Sequence, residues 1–260
     1  MRNVESTVRA MEAVRAKAAG FRPDTVVLLS PHAPIVTRSM GVSIASAYEG
    51  TLADFMAPDV VVEVEADEEL ARDILERSEG GDVPVVATSS PGQTVDLDHG
   101  SLVPLVYLLG EMEALPRLVL LAFSLLDLHQ HANFGALVGE AMLEADERVL
   151  YVASSDLSHR LKPGGPAGFD PRGAEFDRLV AETFSAGDWR GMLSIEPTLV
   201  DAAGECGYRS LAVLSGVVAA AQAAGAKTTN HLLSYEGPFG VGYLVGEVEI
   251  TEDSADRGTR

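Results

Sequence analysis

The spacing of apolar positions divides this 260-residue chain into alternating helices and strands. Val4, Val8, Met11, Val14 and Ala18 recur at helical spacing near the start, and Gly20 is expected to end that helix. Residues 25–30, TVVLLS, form an unbroken apolar run, the signature of a strand covered on both faces. Residues 58–67, PDVVVEVEAD, alternate apolar with polar and predict a half-exposed strand. An acidic amphipathic helix over 67–78 and a strand at VPVVAT (83–88) follow. GSLVPLVYLLGEM (100–112) reads as a helix with Pro104 in its first turn, where a missing N–H costs nothing. RLVLLAFS (117–124) predicts a strand, 132–146 a helix, and RVLYVAS (148–154) another strand. Residues 172–225 are mostly helical, and NHLLSYEG and GYLVGEVEI predict two closing strands.

Strands alternating with helices predict an α/β fold, with a largely parallel sheet and helices on both faces. No repeat or linker interrupts the pattern. The expectation is one domain over residues 1–250, followed by a polar tail at 251–260 that frays.

Charge and cysteine usage narrow the function. Against 39 Asp+Glu stand 19 Lys+Arg, a net charge of -20. Nucleic acid is excluded as a partner, because phosphate contacts need a basic surface. Anionic membranes are disfavoured for the same reason. Cys206 is the one cysteine, so no intramolecular disulfide forms and a reducing compartment fits. The first residues show no apolar secretion segment, and no apolar stretch reaches the ~18 residues of a membrane span. A cytoplasmic location is the expectation.

In open α/β sheets ligands bind beyond the carboxyl ends of strands, so titratable residues just after strands are the candidates. His32 follows TVVLLS in SPHAP, between Pro31 and Pro34, which keep the loop out of a helix. His99 lies in DLDHGSLVPL, where Asp98 either orients the imidazole or caps the following helix. SSDLSH (154–159) places five polar residues in six directly after a strand, and Asp156 and the serines are suited to orient His159. A turn alone needs fewer polar groups. Glu205 and Cys206, in AAGECGYRS, offer a carboxylate and a thiol to a cation; alternatively Glu205 favours a helix N-terminus and Cys206 is packed as a small apolar residue. His129 and His131 read as an exposed loop, His231 as a packing residue within a strand, and GPFGVG (237–242) as a tight hairpin. No G-x-S-x-G nucleophile elbow is present, which removes the serine-hydrolase reading.

Taken in order, SPHAP, DHGSLVPL, SSDLSH, ECGYRS and SYEGPFGVGY resemble the class III extradiol ring-cleavage dioxygenase superfamily, and within it the Memo-like branch that includes the AmmeMemoRadiSam system protein B group. The resemblance covers about residues 21–250. It implies a non-haem Fe(II) site, with Cu, Zn or Mn as alternative ions, acting on a small catechol-type aromatic and O2. By similarity His32 is a metal ligand, joined by Glu205 if the site follows the dioxygenases or Cys206 if it follows Memo. His99 and His159 match the acid–base histidines, with Asp156 orienting His159. The Memo-like alternative is a metal-binding redox or modification protein that does not cleave rings. Relatives of this kind often pair, so a homodimer is expected. The family pattern opens with a strand bearing a further metal-binding histidine. No histidine precedes His32 here, so the resemblance implies either a metal site short of one ligand or a start assigned too late.

Overall fold

The run TVVLLS becomes the centre of the molecule. The computed structural model describes residues 4–251. In chain order the elements are α1 (Glu5–Phe21), β1 (Thr25–Ser30), β2 (Met40–Val42), β3 (Ala47–Leu52), β4 (Ala57–Glu65), α2 (Glu68–Ser78), β5 (Val85–Ala87), β6 (Thr94–Asp96), α3 (His99–Leu109), β7 (Arg117–Ala122), α4 (Leu128–Glu144), β8 (Val149–Ala153), α5 (Arg172–Ala186), α6 (Trp189–Leu193), α7 (Pro197–Ala203), α8 (Tyr208–Ala223), β9 (Lys227–Glu236) and β10 (Tyr243–Thr251).

A five-stranded sheet runs in the order β5-β2-β7-β1-β8. β1 pairs in parallel with β7 and β8, and β2 in parallel with β5. The β2–β7 pair is antiparallel. Every residue of β1 is buried, so its side chains divide between two cores by the two-residue period of a strand. Val27 and Leu29 pack with Val119 and Leu121 of β7 against α2, α4 and α8. Val26 and Leu28 pack on the other face with Leu118 and Leu120 against α3 and the small sheet β4-β3-β6. Each such fully buried aliphatic side chain contributes about 1.5–3 kcal/mol of transfer free energy. The α/β expectation is met, and helices lie on both faces. On the second face, however, Tyr48, Val62 and Val64 of the small sheet do much of the covering. A third core joins α5, α6, α7 and α8 to the β9–β10 hairpin.

Several boundaries differ from the sequence reading. α1 continues through Gly20 to Phe21, and Arg22 takes the left-handed turn (φ 53°) with its N–H on the Ala18 carbonyl. Pro104 lies in the second turn of α3. α4 begins at Leu128, because the Asp127 side chain accepts from the Gln130 N–H and starts the helix there. β2, β3 and β6 were not anticipated. β2 and β6 have three residues each, too few to show a period. The GPFGVG hairpin is as expected, with Gly240 at φ 88° between β9 and β10. Residues 252–260 of the expected tail lie outside the described residues. Among the described residues no helix is long and apolar enough to cross a membrane.

Candidate active site

The two connections that leave the carboxyl ends of β1 and β8 meet the N-termini of α3 and α8. Ser30, the last residue of β1, donates its hydroxyl to Asp98 Oδ1 at 2.6 Å. Asp98 also accepts from the Ser101 N–H (3.0 Å) and the Ser101 hydroxyl (2.9 Å). Its carboxylate is therefore the N-cap of α3, and the same group ties that helix to β1. His99 begins α3, and its ring lies 4.1 Å from that of His32, tilted by 35°.

Pro104 makes the link to β8. Proline has no N–H, so the carbonyl four residues back loses its helical donor. That carbonyl belongs to Gly100, and Ser154 Oγ donates to it at 2.6 Å. Further along, Ser158 Oγ donates to the Ala203 carbonyl at 2.9 Å, at the end of α7. The Ser158 N–H donates to Asp177 Oδ1 at 2.8 Å, and the Leu157 N–H donates to the Gly242 carbonyl at 2.9 Å. A side chain at Gly207 would collide with Ser155, so only glycine lets the loop reach α8 so closely. The polar residues of SSDLSH thus serve separate partners: an α3 carbonyl, the α7 terminus, a buried carboxylate and the residues around Cys206.

At the end of this loop, His159 Nε2 lies 3.6 Å from Asp156 Oδ2 and 3.8 Å from Cys206 Sγ. The donor atoms of Asp156, His159 and Cys206 all fall within 4.8 Å of one another. They form the one such cluster of three among the described residues. Asp156 first, and the Cys206 sulfur second, raise the His159 pKa to about 10 against the effect of burial. His32 moves the other way. Burial first, then the neighbouring His99, lower its pKa, and Asp156 and His159 also act on it.

Glu205 stands next to Cys206, but its carboxylate accepts from the Tyr208 N–H at 2.5 Å, in the first turn of α8. Burial raises its pKa, opposed by that N–H and by Arg209. Arg209 stacks its guanidinium on Phe123, 5.9 Å from the ring centre. The structure brings Asp156, His159 and Cys206 into one donor cluster, sets His32 and His99 in ring contact, and has Glu205 bonded to the backbone of α8.

The other histidines depart from expectation. His131 is fully buried in the first turn of α4 and is no exposed loop residue. His231 is partly exposed, and its Nε2 lies 3.6 Å from Glu249 on β10. Asp177, Tyr235 and Phe55 were not singled out from the sequence. Asp177 is fully buried on α5, where it accepts from Ser158 and from the Tyr235 hydroxyl (2.7 Å). A legible signal existed: Asp177 interrupts the otherwise apolar stripe Phe176, Val180, Phe184. A cavity of about 470 Å3 lined by Asp24, Arg117 and Glu147 opens at the amino-terminal ends of β1, β7 and β8, away from the histidines.

A family model described as the catalytic LigB subunit of aromatic ring-opening dioxygenase matches residues 1–246. The chain belongs to the LigB family. Among curated relatives, Protein CA_C1420 of Clostridium acetobutylicum is 34% identical over 261 residues, covering 98% of this chain and 54% of that protein. Two proteins named 2,3-dihydroxyphenylpropionate/2,3-dihydroxicinnamic acid 1,2-dioxygenase are each 31% identical. The one from Mycobacterium ulcerans aligns over 58% of this chain and 47% of its own length. The one from Mycolicibacterium vanbaalenii aligns over 66% and 54%. The chain thus spans about half the length of the curated relatives it matches. The crystal structure of Escherichia coli K12 protein JW3007 superposes with a TM-score of 0.63 at 19% identity, over 92% of this chain and 90% of that one. This likeness shows a fold shared over nearly the whole of both chains.

Proposed function

We propose that this protein holds a divalent metal, Fe(II) in the first instance, and opens the ring of a catechol-type aromatic with O2. The observation that carries the reading is the meeting of Asp156, His159 and Cys206 at the strand ends of a LigB-family chain. A carboxylate, an imidazole and a thiolate fit a divalent transition ion as a donor set. Such an ion, held there, would supply the redox and Lewis-acid chemistry that the reaction of a catechol with O2 requires. The chain's own residues supply the rest. His159 must give up its proton to bind the ion, so metal uptake releases protons at neutral pH. His32, with its lowered pKa, is neutral near pH 7 and is suited to accept a catechol proton at a ring nitrogen. His99, in ring contact with it, borders the same position.

The residue assignment suggested by the family resemblance differs in the roles of His32, Asp156 and His159. It makes His32 a metal ligand, with Glu205 or Cys206, and keeps His159 as a proton carrier beside Asp156. The raised pKa of His159 keeps its proton at neutral pH, which that version uses for proton donation and which an ion held by the donor cluster has to displace. Metal analysis of single variants separates the two. Loss of metal in Asp156→Ala and Cys206→Ser, with retention in His32→Ala and Glu205→Gln, supports the donor cluster. Loss in His32→Ala with retention in Asp156→Ala supports the family-based set.

The function is tested by anaerobic Fe(II) reconstitution followed by O2-uptake measurements on a panel of catechols. The expected outcome is near-stoichiometric iron and substrate-dependent O2 consumption, reduced about 100-fold or more in His159→Ala. Iron-loaded protein that consumes no O2 with any catechol defeats the ring-cleavage reading. The Memo-like reading, metal-dependent redox or modification chemistry without ring cleavage, would then stand. It is favoured by the thiol among the donors, and its mark is a metal–sulfur signal that vanishes in Cys206→Ser.

A further inference from the structure

Phe55 is a large aromatic side chain left 59% exposed. It ends a 3-10 turn, Ala53–Phe55, at the tip joining β3 to β4. Its ring centre lies 5.4 Å from that of His99, tilted by 51°. His99 in turn touches His32, so three rings stand in a row at the rim of the candidate site.

The small sheet fixes this placement. β3 runs parallel to β6 in the register Ala47↔Thr94, Tyr48↔Val95 and Glu49↔Asp96. The Leu97 N–H then donates to the Glu49 carbonyl at 2.7 Å. The two strands therefore deliver the Phe55 tip and the start of α3 to the same end of the sheet. Met56, next to Phe55, takes a left-handed conformation (φ 60°) and is 93% exposed. Non-glycine residues adopt that conformation rarely, so the tip turns sharply at a strained position while holding two apolar side chains in water. Single exposed apolar residues need no explanation. This one is different because its ring contacts a histidine placed at the catechol position.

We propose that Phe55 is a wall of the substrate slot, against which the ring of a bound o-diphenol packs, and that the β3–β4 tip selects catechols with apolar ring substituents. The proposal rests on the catechol reading of the site. Phe55 has no titratable group and moves no proton, so its contribution is to binding. Offset or edge-to-face packing of two aromatic rings adds roughly 0.5–1.5 kcal/mol beyond burial, about 2- to 13-fold in affinity, and an alkyl substituent on the ligand adds contact with Phe55 and Met56.

The test is anaerobic calorimetric titration of Fe(II)-loaded wild type, Phe55→Ala and Phe55→Leu with catechol and with 4-ethylcatechol. Thermal unfolding and iron content are measured alongside. Phe55→Ala should weaken catechol about 5-fold and 4-ethylcatechol by more, at unchanged iron content. Phe55→Leu should fall between, keeping apolar contact but losing the aromatic face. It also carries the test if the alanine variant folds poorly. In turnover, KM should rise with kcat within about twofold. Affinities within twofold of wild type in both variants overturn the proposal, as does a fall in kcat at constant KM, which would assign the effect to His99. Wild type that binds neither catechol defeats the ring-cleavage reading itself and this proposal with it.

Discussion

His131 shows what a single side chain decides. Its Nδ1 faces the Asp127 carbonyl at 2.8 Å, and a carbonyl only accepts, so Nδ1 carries the proton. Nε2 accepts from the Ser124 N–H at 3.4 Å. The imidazole is thus held neutral, and burial lowers its pKa. The unfolded chain, with an ordinary histidine pKa near 6.5, takes up a proton before the folded one. This contribution to stability is therefore complete above pH ~6.5 and is lost as pH falls from there toward the depressed folded value. Denaturant unfolding of wild type should show lower stability at pH 5.5 than at pH 7.5. His131→Gln should be less stable at pH 7.5 by about 1–3 kcal/mol, since the Ser124 N–H loses its fitted acceptor, and its pH dependence should be shallower. Equal slopes in both proteins would remove His131 as the cause. The sequence reading placed this residue in a loop because it started the helix one turn late. The cap at Asp127 moves the boundary, and the boundary decides burial.

Among the elements, the loop after β8 is held chiefly by groups distant in sequence. Asp177 on α5 is buried with Ser158 and Tyr235 as its bonded donors, and burial raises its pKa. Removing the Tyr235 hydroxyl leaves a buried carboxylate with one fewer donor. Tyr235→Phe should cost about 1.5–3 kcal/mol in unfolding free energy. If the loop then drifts, metal affinity should fall by roughly 10- to 100-fold, as for other groups that orient ligands. A variant with wild-type stability and metal affinity would show that the Asp177–Tyr235 bond holds nothing in place. The link from Ser154 to Gly100 follows the same logic. The proline was legible, but which hydroxyl would serve the freed carbonyl was not, because that partner is 54 residues away in the chain.

For the whole molecule, charge is the dominant surface property. With 39 acidic against 19 basic side chains the folded chain repels itself. Salt shortens the reach of that repulsion from about 30 Å at 0.01 M to about 10 Å at 0.1 M. The melting temperature should therefore rise between 0.01 and 0.3 M NaCl. A flat or falling curve would mean that the attractive pairs, such as Arg77 with Asp73 and Glu144, outweigh the net charge.

The α/β class, the central strand Thr25–Ser30, its neighbours at 117–122 and 149–153, and the candidate site residues His32, His99, Asp156, His159 and Cys206 were all written in local patterns. A two- or 3.6-residue period reports burial within one element, and a histidine after a strand reports a rim. Which rims coincide is not local. The antiparallel entry of β2, the small sheet that sets Phe55 on His99, and the approach of Cys206 to His159 across 47 residues depend on strand order and on which faces pack. Those are properties of the assembled sheet, whose free energy is shared among contacts far apart in the chain.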